Sequence, residues 1–403
     1  MKTYIHIKEL VTLKNAHSKD GRNLLPEDLS IINDGAVVFN ENEILWVGKT
    51  SDLPGEYNKN TTDLSGHILT PEITDSHTHL IFGGDRASEY VERLNGVPYE
   101  EIARRGGGIL LTMNQTNNSS SDELYLSAKK RIERIASYGV GTIEVKSGYG
   151  LNFDKEYEMS LIIDKLKKEF APRIQIVNTY MAAHDVPKTF RDSAHYMSEV
   201  VIPLLEKLAL LNIIDNVDIF HEKNYFTDAD TTLLFETAKR LGIPSKMHGD
   251  ELNDNGSAAL GAKLGALSID HLLKINDEGI QSLANSSTVA TLLPGTAFFL
   301  GKPLAPGKKL LDAGLKVAIA SDYNPGSCHC DNVLMVAQIS AAQLKMNIAQ
   351  TWCGITLNAA HALGLKNQGA IVEGMKPRFS LFKAESLSHI SYNWGHNFSV
   401  RLT

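Results

Sequence analysis

Short runs rich in Val, Ile and Ala recur through the middle of this chain, each followed by a longer amphipathic stretch. This alternation constrains the fold more than any other feature, because a short apolar run followed by a helical period is one strand and its crossover helix. Eight runs can be counted, at residues 67–73, 141–145, 174–180, 217–220, 244–247, 267–269, 288–293 and 317–320. Helical patterns lie between them at 121–138, 157–168, 194–211 and 228–241. Eight parallel strands with crossover helices predict an α/β fold, a TIM-like (β/α)8 barrel whose chemistry sits at the C-terminal strand ends.

The chain ends have a different pattern. Residues 35–48 alternate around the polar Asn40-Glu41-Asn42, a hairpin signal, and short strand-like pieces return after Leu365, as at 379–382. A chain of 403 residues exceeds what one core usually holds. We therefore expect a barrel domain at 67–365 and a second, small composite β-sandwich domain built from 1–66 and 366–403. The Asn- and Ser-rich stretch 112–122 reads as a loop ending in a helix cap.

A net charge of -7, with no dense Lys/Arg stripe, argues against a nucleic-acid partner. No stretch approaches the ~18 apolar residues of a membrane span, and residues 1–13 lack the apolar core of a signal peptide. Three cysteines, Cys328, Cys330 and Cys353, are too few for a disulfide framework, which fits a cytoplasmic setting. Cys328-His329-Cys330 lacks the spacing of a structural zinc clip.

The residues just past each run carry the chemistry. Asp75-Ser76-His77-Thr78-His79 comes after the first, Lys146-Ser147-Gly148-Tyr149 after the second, His184 after the third and His221-Glu222 after the fourth. The fifth leads to His248, Asp250 and Glu251, the sixth to Asp270-His271, and the eighth to Asp322. His77 and His79, two apart on a strand, project from one face and can share a cation. A nitrogen from His248 and an oxygen from Asp322 would complete a metal site. Glu251, three residues past His248, suits a general base, and His271 suits a carbonyl or oxyanion partner. Asp250, Asp270, His221 and Glu222 are expected to be structural, and Lys146 a packing lysine rather than a carbamylated metal bridge.

These stretches, DSHTHLIFGGDR, EVKSGYGL, AAHDVP, MHGDEL, DHLL, LLPGTAFFL and SDYNPGS, resemble the imidazolonepropionase family of the metal-dependent amidohydrolases, over about residues 67–365. The resemblance implies hydrolysis of the cyclic amide C–N bond of 4-imidazolone-5-propanoate, giving N-formimidoyl-L-glutamate in histidine degradation. It implies one divalent ion per chain, zinc or iron, on His77, His79, His248 and Asp322. It places substrate contacts at Arg86, Tyr99, Tyr149, His184, Glu251, Asn324, Gly326 and Ser327, and catalytic roles at Glu251, His271 and Asp322. A bidentate guanidinium such as Arg86 is the natural clamp for a propionate, and the N–H groups of Gly326 and Ser327 are candidates to face the substrate. Gly249 and Asp185 depart from the family's usual small residues, and PRFSLF replaces its usual closing strand. A hydantoinase- or dihydroorotase-type enzyme with two ions on carbamylated Lys146, a deaminase, and a binding protein on a degenerate barrel are the competing readings. The expected partner is a small-molecule substrate, with no nucleic acid or membrane, and a homodimer is compatible with such a chain.

Overall fold

A computed structural model describes residues 1–401, apart from the side chains of Tyr99, Glu100 and Ala103. The N-terminal region supplies β1 (Lys2–Val11), β2 (Ile31–Phe39), β3 (Ile44–Lys49), β4 (Thr61–Asp63) and β5 (Ile68–Pro71). The middle supplies β6 (Ile73–Asp75), β7 (Val140–Lys146), β8 (Gln175–Ala183), β9 (Asn216–His221), β10 (Met247–Gly249), β11 (Ser268–His271), β12 (Val289–Leu292) and β13 (Val317–Ile319). The tail adds β14 (Phe379–Phe382) and β15 (Ser399–Val400). β6 to β13 lie side by side in sequence order, all parallel, which is the expected barrel. The strands of both chain ends form one mixed sheet, ordered β15-β14-β5-β1-β2-β3 with β4 beside β1.

The run at 67–73 is shared between the two sheets. Ile68–Pro71 pairs with β1 and β14, and the barrel strand starts at Ile73. Pro71 has no N–H to continue a ladder, and the run His-Ile-Leu-Thr-Pro-Glu-Ile does not say which of two sheets each half joins. The switch is fastened by buried Glu72, whose carboxylate accepts from Arg378 Nε at 2.7 Å and Thr142 Oγ1 at 2.5 Å. The fifth run is similarly displaced: β10 begins at Met247, after Pro244 and Ser245 have given only an isolated bridge to Val217.

The expected loop at 112–122 is mostly helix, Ile109–Asn118, with Thr112 and Thr116 buried one turn apart. The Thr116 hydroxyl accepts the Gly83 N–H at 3.1 Å, so its polar residues serve tertiary contacts. The cap is where the sequence puts it: Ser120 accepts from Glu123 N while the Glu123 carboxylate accepts from Ser120 N, opening the Ser121–Ala136 helix. Leu124, Ala128, Ile132 and Ile135 bury one face of it. The pattern at 194–211 is broken into Ser193–Tyr196 and Ile202–Leu211 by a wide turn at Met197–Val201. Pro203, lacking an N–H, explains the irregular spacing. Among the described residues no helix is long and apolar enough to cross a membrane.

The barrel closes differently at one seam. β13 and β6 share no ladder; an isolated Thr78–Tyr323 bridge joins them, with Asp322 N donating to His77 O at 3.0 Å and His79 N to Tyr323 O at 2.9 Å. The interior is also unusual. Such barrels are ordinarily filled by branched aliphatics, but Lys146 Nζ reaches Glu144 at 2.7 Å and Asp218 at 2.5 Å. Lys246 Nζ reaches Glu144 at 3.1 Å and Asp270 at 3.4 Å. These pairs join β7, β9, β11 and Lys246 just before β10 with no exposure, so they cross the inside of the barrel. On β7, Thr142, Glu144 and Lys146 take that face, and Ile143 and Val145 fall on the other.

Candidate active site and metal centre

Three imidazoles meet above this charged layer. His79 Nε2 lies 3.2 Å from His77 Nε2 and 3.1 Å from His248 Nε2. His77 Nδ1 donates to Asp270 Oδ2 at 2.6 Å and His248 Nδ1 to Asp218 Oδ1 at 3.1 Å, which leaves both Nε2 atoms as lone pairs. Burial first, and then neighbouring positive groups including Lys146, hold His77 well below the usual histidine range; burial also lowers His248 against the pull of Asp218. Converging neutral nitrogens repel unless a cation sits between them. Ligand bonds of ~2.0–2.1 Å at tetrahedral angles put nitrogens roughly 3.3–3.4 Å apart, close to the spacing seen. The donor set therefore fits a metal ion. Among the described residues these three histidines form the one such group.

Asp322 stands just outside that trio, its Oδ1 3.6 Å from His77 Nε2 and 3.8 Å from His79 Nε2. Its other oxygen accepts from Thr296 Oγ1 at 2.5 Å. Burial pushes its carboxyl up to about 6. Asp322 holds a left-handed backbone at φ 51°, as does His271 at φ 83°. In a non-glycine residue such backbone is uncommon and strained. His271 Nε2 faces Glu251 Oε2 at 3.6 Å, and burial pushes the Glu251 carboxyl up to about 7.

All of these except His77, which lies beneath, open on a cavity of about 760 Å³. Arg86, Tyr149, His184, Asn324, Gly326 and Ser327 line the same cavity, so the structure brings the expected residues together. The Tyr99 side chain lies outside the described residues. Arg86 uses Nε to pair with Glu89 at 2.8 Å. Gly326 packs under Arg86: a Cβ there would come 1.9 Å from Arg86 Nη1, so a larger residue would push the guanidinium aside. His184 Nδ1 donates to Gly148 O at 3.0 Å while its ring stacks on His79, centroids 4.8 Å apart. The Tyr149 ring lies 5.8 Å from that of His79.

One expectation is corrected here. The N–H groups of Gly326 and Ser327 do not face the cavity as free donors; both are taken by Asn324 Oδ1 at 2.8 Å, because the Asn side chain closes the turn on itself. Asp250 caps the Ser257–Leu264 helix, accepting from Ser257 N and Ala258 N at 3.0 Å. His221 is held by Ser257 and Asp228, and Glu222 accepts from Leu252 N and Asn253 N. Gly249 is required because a Cβ would lie 2.4 Å from Ser257 Cβ. Lys146 is paired with Asp218 and Glu144, which raise its pKa although burial alone would lower it. An ammonium held by two carboxylates is not the amine a carbamate needs.

Sequence reasoning passed over Glu144, Asp218, Lys246, Thr296 and Glu89. Glu144 and Asp218 stand within apolar runs, TIEVK and NVDIF, and Lys246 just before Met247, but residue types alone do not show which charge each meets across the barrel. Thr296 and Glu89 carry no mark of their partners either.

No family model matches the chain. It is 38% identical over 369 residues to the imidazolonepropionase of Bacillus cytotoxicus, spanning 91% of this chain and 87% of that protein. It is 38% identical over 396 residues to that of Bacillus cereus, spanning 97% and 92%. Among solved structures, 5-methylcytosine deaminase from Klebsiella pneumoniae superposes with a TM-score of 0.74 at 15% identity, covering 99% of this chain and 95% of that one. A zinc complex of atrazine chlorohydrolase from Arthrobacter aurescens gives 0.73 at 14%, covering 99% and 93%. At that identity these two support the barrel alone. The identity to the Bacillus proteins, sustained across nearly the whole of both chains, places this chain in the imidazolonepropionase family.

Proposed function

We propose that the chain hydrolyses 4-imidazolone-5-propanoate to N-formimidoyl-L-glutamate, using one divalent ion held by His77, His79, His248 and Asp322. The observation that carries this reading is the convergence of unprotonated imidazole nitrogens at the floor of a cavity whose wall presents Arg86. When bound, the ion supplies Lewis acidity, acidifying water and polarising the ring carbonyl. Zinc and iron both suit imidazole and carboxylate donors.

The protein's own groups do the rest. With Nε engaged by Glu89, the two terminal nitrogens of Arg86 remain to clamp the propionate in a bidentate pair. His184, its Nδ1 proton committed to Gly148 O, offers Nε2 as an acceptor for a ring N–H. Tyr149 and the Asn324–Ser327 turn shape the same wall. Glu251, raised to about 7, is poised to take the proton of the attacking water near neutral pH, with Asp322 sharing its orientation. His271 meets the oxygen of the ring carbonyl as it becomes negative. Water adds to that carbonyl, the C–N bond breaks, and the proton returns to the departing nitrogen, so a carboxylate and a formimidoyl amine result.

The same reading takes residues 1–66 and 366–403 as a composite domain beside the barrel. It also takes the protein as a cytoplasmic enzyme acting on a small molecule. Support for the setting is the state of Cys328, Cys330 and Cys353, all unpaired. The test is incubation of purified chain with imidazolonepropionate while its ultraviolet absorbance is followed and the product is analysed. Loss of absorbance with formation of N-formimidoyl-glutamate is expected. Release of ammonia instead would favour a deaminase, and no turnover with metal present would refute the assignment.

A further inference from the structure

We propose that Arg131 and Arg134 are positioning residues that hold the strand ends carrying His79 and Asp322 in register across the barrel seam. The inference rests on the reading of His77, His79, His248 and Asp322 as metal ligands. Seven of the barrel's strand junctions carry ladders of paired residues, while the eighth, between β13 and β6, has one isolated bridge. Three of the four proposed ligands flank that sparsely bonded junction. Their mutual distances are thus set by something other than a regular ladder.

The Ser121–Ala136 helix adds to the two backbone bonds that cross the seam, Asp322 N to His77 O and His79 N to Tyr323 O. Arg131 and Arg134 are three residues apart, hence on one face of it. Arg131 Nη1 donates to Leu80 O at 2.8 Å and Phe82 O at 2.9 Å, with its guanidinium 3.4 Å over the Phe82 ring. Leu80 follows His79 directly. Leu80 and Phe82 are fully buried, so their carbonyls would lose a needed donor if Arg131 were removed. On the other side of the seam, Arg134 Nη2 donates to the Tyr323 hydroxyl at 3.2 Å and pairs with Asp331. Tyr323 follows Asp322 directly, and its ring contacts that of Phe82 at 6.3 Å. One rigid helix therefore grips the residue next to a ligand on each side of the seam. Neither arginine lines the cavity, so any effect on it is indirect.

The experiment measures zinc affinity of the full chain by competition with a colorimetric chelator, with thermal unfolding recorded for zinc-free and zinc-loaded protein. Arg131→Ala should weaken zinc binding about 10–100-fold, the range for loss of a group that orients metal ligands. Arg131→Lys should fall between it and the parent, because lysine keeps the charge but loses the two-carbonyl fork and the stacking. Tyr323→Phe, which removes only the hydroxyl, should weaken binding a few-fold. A purely structural arginine would lower both unfolding temperatures alike and leave zinc affinity untouched. Should Arg131→Ala fail to fold, the two milder variants decide the matter. Weaker binding in either supports the inference, and parental affinity in both overturns it. A parent chain that binds no zinc would overturn the metal assignment, and this inference with it.

Discussion

At the floor of the cavity, His77 and His248 are each held from behind by a buried carboxylate, Asp270 and Asp218, and those are held in turn by Lys246 and Lys146. At the wall, Arg86 rests on one carboxylate, Glu89, which itself anchors a loop through Gly108 N. The floor is made of residues at and just past the barrel strand ends, backed by charges locked across the barrel interior; the wall is made of loops and short helices beyond them. The difference separates two tasks. A metal site needs ligands fixed to a fraction of an ångström, and the buried carboxylates behind the histidines, themselves held by Lys246 and Lys146, help supply that. Recognition of a propionate needs only a cation with its fork exposed, which a loop can present and which can be altered without disturbing the floor.

If that division is right, the largest effect comes from the floor. His248→Ala should abolish stoichiometric metal and turnover together, since few nitrogens share the ion. One tightly held ion with normal turnover in that variant would break the account. Next, Glu251→Gln keeps shape but removes the proton acceptor, so kcat should fall roughly 10²–10⁴-fold with metal content retained. The sign of the pH dependence comes from the raised carboxyl: Glu251 works ionised, so activity should drop as pH falls through about 7. That acid limb should vanish in the Gln variant. Metal loss there would make Glu251 a ligand instead.

Lys146→Met tests the layer beneath. It leaves Asp218 in the barrel interior without its ammonium, while Glu144 keeps Lys246, and removing one partner of a buried pair in this way costs about 3–5 kcal/mol. A matching fall in unfolding free energy, measured by denaturant titration, is expected; an unchanged value would mean those carboxyls carry no charge. The smallest effect belongs to the wall. Arg86→Lys should raise KM by an amount equivalent to ~1–3 kcal/mol, with kcat largely kept. An unchanged KM with collapsed turnover would move Arg86 from recognition to chemistry.

Much of the floor could be read before any coordinates. His77, His79, His248, His271 and Asp322 each come just after an apolar run, and the barrel turns sequence position into spatial convergence. The supporting charges were hidden for a physical reason. Asp218 sits inside β9 and Lys246 just before β10, where one residue cannot tell whether its neighbour across the barrel is an opposite charge or a hydrocarbon. The switch of 67–73 between sheets was equally invisible, because both sheets bury the run. At the wall, the Asn324 side chain took the amides that the sequence offered to the substrate, a local competition that residue types alone do not settle.

The central claim is that one ion on the floor and one cation on the wall suffice, with Lys146 serving as an ammonium. It is tested most directly by stripping the chain with chelator and titrating zinc back, tracking bound metal and imidazolonepropionate hydrolysis in the same samples. The account predicts that both saturate together at one ion per chain. Activity that requires a second ion, or that persists in the stripped protein, would contradict it.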